Sequence, residues 1–128
     1  MMHLIQARKI VLQMVARIPH CKAALIKNNV RVAVMSVDEV TTDIPEHSDL
    51  NRVFPQTDWD KRSRGLGPTK ARPATSCAEE NLLCYDEDRY KGEDILVHEF
   101  AHAIHLLGLS LIVKSFDTAL EKCYAEAK

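Results

Sequence analysis

The chain has 128 residues, of which 46% are hydrophobic and 27% charged, with a net charge of −1. That length suits one domain with a real core. The near-neutral charge gives no electrostatic basis for binding nucleic acid or an acidic membrane surface, no apolar run approaches the length that spans a bilayer, and no repeat or low-complexity tract is visible.

Met1 to Ile18 is predicted to be a helix, because Ala7, Val11, Met14, Val15 and Ile18 recur at helical spacing with Arg8, Lys9 and Arg17 off that stripe. It lacks the uninterrupted apolar core and small-residue cleavage site of a signal peptide. Pro19 ends this helix or begins the next. That second helix is expected to run to Asn28, with Asn28-Asn29 as its stop. Val30 to Val37, VRVAVMSV, is β-branched and nearly continuous in apolar residues, as expected of a strand inside a sheet. Thr41 to Asp49 turns to loop chemistry, and His47 within it reads as a solvated loop histidine rather than a metal ligand.

Residues 51–78 carry Pro55, Pro68, Pro73, Gly65 and Gly67, which break any periodic pattern. The basic cluster Lys61, Arg62, Arg64, Lys70 and Arg72 reads as a solvated loop over a compact body. Gly65-Leu66-Gly67 is no phosphate loop, since the lysine and Ser/Thr spacing are absent. Loops of this length are often functional, so this one is a candidate cleft wall. Asn81 to Tyr85 is predicted to be a short strand, Asp86 to Gly92 a polar turn, and Ser115 to Lys128 a last helix with Phe116, Leu120, Cys123, Tyr124 and Ala127 on one face.

The organising stretch is Gly92 to Gly108, GEDILVHEFAHAIHLLG. Inside it lies His98-Glu99-Phe100-Ala101-His102, an H-E-x-x-H pattern. Residues four apart on a helix share one face, so His98 and His102 project side by side. Two neutral imidazoles so placed can ligate one Zn²⁺, and Glu99 can act as general base toward a water on the metal. Glu93 and Asp94 put negative charge at the first turn, where the helix dipole favours it. Gly108 is a plausible left-handed stop. Apolar residues cover most of the remaining circumference, as in a helix buried on most sides.

Four cysteines, Cys21, Cys77, Cys84 and Cys123, permit two disulfides in three connectivities. Cys77 and Cys84 close a small loop and are the most plausible pair, while Cys21 and Cys123 suit buried thiols. This usage leans toward an oxidising, extracellular compartment without fixing it.

A catalytic zinc normally has three protein ligands and a water. The H-E-x-x-H-x-x-G-x-x-H pattern of metzincins is ruled out, because His105 and Gly108 stand at its glycine and last histidine positions. The Cα of His105 lies roughly 10 Å along the axis from that of His98, so a hydrogen-bonding role behind the metal ligands or in the core suits it better. Glu121 follows His102 by nineteen residues, close to the spacing found in some gluzincins. It lies about 100° from the Phe116/Leu120/Cys123 stripe and would face solvent if that stripe packs inward. Glu126 fits less well.

IPEHSDL, WDKRSRGLGPTKARPATSCAEENLLCY and ILVHEFAHAIHLLGL together resemble a family of small gluzincin-type zinc metallopeptidases. That family is distantly similar to the catalytic domain of anthrax lethal factor, whose motif is likewise HEF-x-H-A. The resemblance covers the chain from about Val30 onward, and HEFAH is its specific part. It implies zinc ligands at His98 and His102, a general base at Glu99 and a peptide or protein substrate. The fold expected is zincin-like α+β: a small sheet packed on a buried HExxH helix, with further helices, in a single domain over residues 1–128. In such proteins the third ligand is a glutamate that follows a helix resembling FDTALEKCYAEAK, and the chain stops at Lys128 before anything of the kind. A C-terminal truncation is one expectation. Glu121 as a substitute and a ligand from a partner chain are the others. The expected function is peptide hydrolysis by a zinc-activated water; the alternative is an inactive, metallopeptidase-like binding domain that lacks the third ligand.

Overall fold

Two amphipathic helices open the chain. In a computed structural model that describes residues 1–128, α1 spans Met2–Val15 and α2 spans Pro19–Lys27. Ala7 and Val15 are buried in the main core, with Ile10, Val11, Met14 and Ile18 packed against it, so the expected stripe is the face that docks. Pro19 occupies the start of α2, where its missing N–H leaves nothing unsatisfied. Asn29 takes a left-handed φ of 56° and turns the chain into β1, Arg31–Met35.

The sheet has three strands in the order β1-β3-β2. β3, Ala74–Ala78, is its fully buried centre. β1 runs parallel to it, from Arg31 opposite Ala74 to Met35 opposite Ala78. β2, Gly65–Leu66, runs antiparallel on the other side. This corrects two expectations: β1 is an edge strand, and the central strand lies in the stretch read as irregular. β3 reads Ala-Thr-Ser-Cys-Ala, small and half polar, which is a weak strand signal by propensity. Burial on both faces selects the small side chains. Cys77 belongs to the core that faces α1 and α6, together with Val32 and Val34, while Ala78 packs with Met35, Ile44 and Ala33 on the other face.

The crossover from β1 to β3 holds two 3₁₀ turns, Thr41–Asp43 and Pro45–His47, and two single-turn helices, α3 (Leu50–Val53) and α4 (Trp59–Arg62). Lys61, Arg62 and Lys70 are exposed, as the solvated reading expected, but side chains tie the crossover down. The Asp60 carboxylate accepts from the Thr42 N–H and hydroxyl, both at 2.9 Å. Arg64 is buried, corrected from the solvated reading, and grips Glu80 with two bonds of 2.6 and 3.0 Å. Arg72 holds Asp49 at 3.0 and 2.7 Å. His47 is only 2% exposed, so the solvated reading of this histidine is also corrected.

After β3 the chain forms a single helical turn, α5, Glu79–Leu82, where a strand over Asn81–Tyr85 was expected. A left-handed Cys84 (φ 57°) follows it. The Asn81 side chain explains the difference. It donates to Asp88 at 3.0 Å, to the Tyr90 carbonyl at 3.2 Å and to the Glu93 carbonyl at 2.9 Å, and it accepts from the Ile95 N–H at 2.9 Å. A strand would point this residue away from the loop it organises.

α6, Ile95–Ala103, continues through a π-helical segment, Ile104–Leu109, into α7, Ser110–Ile112. Gly108 is therefore inside the helix and has no positive φ, which corrects its reading as a left-handed stop. Its role is close approach. A Cβ there would overlap Cys21 Sγ on α2. α2 also supplies donors to the π segment: Asn28 Nδ2 reaches the Leu107 carbonyl at 3.2 Å, and the Cys21 thiol lies 3.8 Å from the Ile104 carbonyl. Wide π turns leave carbonyls to be met from outside the helix.

The run Ile95–Ile112 is one helix with a mean hydropathy of 1.6, long and apolar enough by length and composition to cross a bilayer. That corrects the expectation that no such run exists. It is the core helix of this fold: Leu96, Phe100, Ala103 and Leu107 are buried in the main core. Val97 and Leu106 are exposed, at 40% and 43%, so the helix is buried on one face rather than on most sides. α8, Phe116–Ala127, contains no buried residue, and its apolar stripe lies open, with Tyr124 65% exposed. All four cysteines are free. Cys77 is fully buried in β3 and Cys84 is exposed beyond α5, so the expected Cys77–Cys84 bridge is absent. Burial suits Cys21 as expected, whereas Cys123 is exposed.

Candidate metal centre

The first turn of α6 is fixed from two sides. Asp94 caps it, its carboxylate accepting from the Val97 N–H at 3.0 Å. Asn81 holds the Ile95 N–H and the Glu93 carbonyl at the same point. The following residues, His98 and Glu99, thus leave a rigid helix rather than a loop.

His98 and His102 stand one turn apart with ring centroids 5.1 Å from each other and planes inclined by 65°. The donor atoms of His98, Glu99 and His102 all lie within 4.8 Å of one another. Two imidazoles and a carboxylate at that separation suit a borderline divalent cation. His98 Nδ1 lies 2.6 Å from Glu93 Oε1. A proton on Nδ1 directed at that carboxylate leaves Nε2 with its lone pair free, the tautomer a metal requires.

Glu99 is half-buried, unlike the two exposed histidines. Burial pushes its carboxyl above the usual range. His98 and His102 oppose that, Glu93 adds to it, and the backbone of Gly67 draws it back down. Gly67 lies against both groups: a Cβ at this position would stand 3.1 Å from Glu99 Oε2 and 3.0 Å from His102 Cβ.

The segment from Ser63 to Pro68 and the helix face of Glu99, His102 and Leu106 enclose a cleft of about 430 Å³, with Arg62 at its margin. The loop read as a candidate cleft wall does line the cleft. Sequence reasoning missed Glu93 as the partner of His98, Gly67 as the neighbour of Glu99, and Arg62 as a residue lining the same cleft. Glu93 carried a usable signal, since it precedes His98 by five residues at a helix start.

The other sequence candidates stand apart. His105 Nε2 lies 2.8 Å from Asp117 Oδ1, which also accepts from the Ser110 hydroxyl at 2.7 Å. His105 hydrogen-bonds as expected, but at the surface and to Asp117 rather than behind the metal ligands or in the core, and so ties the helix to α8. The Ser110 hydroxyl and then His105 hold the Asp117 carboxyl below its usual range. Glu121 and Glu126 are exposed on α8 and lie outside the group of converging donor atoms. No family model, no curated protein and no solved structure matches the chain.

Proposed function

We propose that the chain is a zinc metallopeptidase domain of gluzincin type with a zincin-like fold, cutting peptide bonds in the cleft beside α6. One observation carries this: two imidazoles and a carboxylate converge within 4.8 Å on a core helix, and two of the three residues, Glu99 and His102, line a cleft. His98 and His102 would hold the ion, with Glu93 fixing the His98 tautomer. Zinc, when bound, supplies Lewis acidity that makes water a nucleophile at neutral pH.

The chain's own residues do the rest. Glu99 takes a proton from the attacking water and returns it to the leaving amine, so that one water is consumed and an acid and an amine are released. Its half-buried carboxyl, with an elevated proton affinity, suits that exchange better than an exposed one. The antiparallel edge strand β2 lies beside α6, where an extended substrate backbone can run along it.

Metal analysis tests this. Purified protein is expected to hold about one zinc per chain, lost to a chelator and in His98→Ala. Glu99→Gln is expected to keep the zinc and lose peptide hydrolysis. Folded protein that takes up no zinc overturns the reading and leaves a metal-free binding domain.

A further inference from the structure

Arg62 ends α4 at the margin of the cleft. Its guanidinium lies over the indole of Trp59, 5.3 Å from the ring centroid. Trp59 in turn meets Phe54 edge-on, with centroids 6.1 Å apart. Neighbouring cations are already engaged: Lys61 with Asp58, Arg64 with Glu80 and Arg72 with Asp49. Arg62 has no carboxylate within 4.0 Å of its side-chain nitrogens. The same side chain borders a second, smaller hollow that contains Glu93 and Glu99. Neither acid neutralises it, since Glu93 is taken up by His98 and Glu99 stands against Gly67.

We propose that Arg62 is the substrate-recognising cation of this site and that the substrates are peptides bearing a carboxylate close to the bond that is cut. This rests on the metallopeptidase reading above. A guanidinium stacked on an aromatic ring is already oriented, and its planar fork presents two parallel N–H donors that match a carboxylate. Arg62 is also the only lysine or arginine among the residues that line the cleft. That carboxylate comes either from an aspartate or glutamate side chain or from the free C-terminus of the peptide. The two sources present the same chemistry to Arg62.

Calorimetric titration of the zinc-loaded Glu99→Gln protein tests the proposal without turnover. The probes are acetyl-Ala-Ala-Glu-Ala-Ala-amide, its Gln counterpart, and acetyl-pentaalanine with a free carboxyl end. One carboxylate-bearing probe is expected to bind roughly tenfold more tightly than the neutral one. Preference for the Glu peptide identifies a side chain as the ligand, and preference for the free end identifies a terminus. Adding Arg62→Gln is expected to erase the preference, and Arg62→Lys to keep part of it. Equal affinity for all three probes, affinity for none, or a preference that survives Arg62→Gln overturns the proposal. Hydrolysis by the zinc-loaded wild-type protein is read separately. Its absence counts against the metallopeptidase reading, while the binding series still decides Arg62.

Discussion

Glu93 Oε1 sits 2.6 Å from Nδ1 of His98, whose ring centroid lies 5.1 Å from that of His102. A carboxylate behind a metal-binding imidazole fixes its tautomer and raises its basicity. Glu93→Ala is therefore expected to weaken zinc binding by about 10–100-fold, read by competition against a chromophoric chelator. The Glu93 side chain is about half exposed (48%), so the thermal midpoint should hardly move. Unchanged zinc affinity would show the contact to be idle.

Asn81 is the second support of the site. One amide side chain, 7% exposed, joins Asp88, Tyr90, Glu93 and Ile95. Asn81→Ala leaves several buried groups without partners, and a loss of about 3 kcal/mol in unfolding free energy is expected, measured by urea denaturation. Asn81→Asp keeps the acceptor for the Ile95 N–H and should protect that amide from hydrogen exchange better than Asn81→Ala does. Equal exchange in the two variants would remove Asn81 from the start of α6.

Gly108 and Cys21 form a pair whose coupling is measurable. The sulfur of Cys21 occupies the space that a Cβ on Gly108 would need. Gly108→Ala is expected to cost about 1–3 kcal/mol through overpacking. In the Cys21→Ala background the same change should cost markedly less, because the sulfur is gone. The double-mutant cycle should return an interaction energy of about 0.5–3 kcal/mol, and additive effects would mean that α2 and the π segment do not meet here.

The residues that could be read from the sequence were those whose role is local. α1 and α2 announced themselves by spacing and by Pro19, and H-E-x-x-H placed His98 and His102 on one helix face, with Glu99 next to His98, with no tertiary information. What stayed hidden depends on contacts between distant segments. β3 is a central strand because β1 and β2 flank it and cores lie on both faces, whereas its own residues have low strand propensity. Arg64 read as a surface cation, and only Glu80 sixteen residues later shows why it is buried. Asn81 looked like part of a strand because Leu82, Leu83 and Tyr85 are apolar, yet four hydrogen bonds to a later loop decide its conformation. Gly108 looked like a helix stop because glycine commonly is one, while here the absent side chain makes room for α2.

His47 gives the pH dependence its sign. It is 2% exposed, and its Nδ1 has no hydrogen-bond partner. Burial is the main reason its pKa falls below the usual 6.5; Glu46 opposes this, Arg72 adds to it, the Ala74 backbone opposes it and Arg31 adds to it. The unfolded chain therefore binds a proton on this ring more readily than the folded chain. The resulting stability is present above pH 6.5 and is lost as the pH falls below it. The slope from a single such group is at most about 1.4 kcal/mol per pH unit. Urea unfolding of wild type and His47→Gln at pH 7.5 and at about pH 5 isolates this ring, because the other five histidines contribute to both proteins. The variant is expected to lose less stability between the two pH values than wild type does. Identical losses would mean that this ring binds a proton as readily in the fold as in the unfolded chain, so that its burial has no effect on titration.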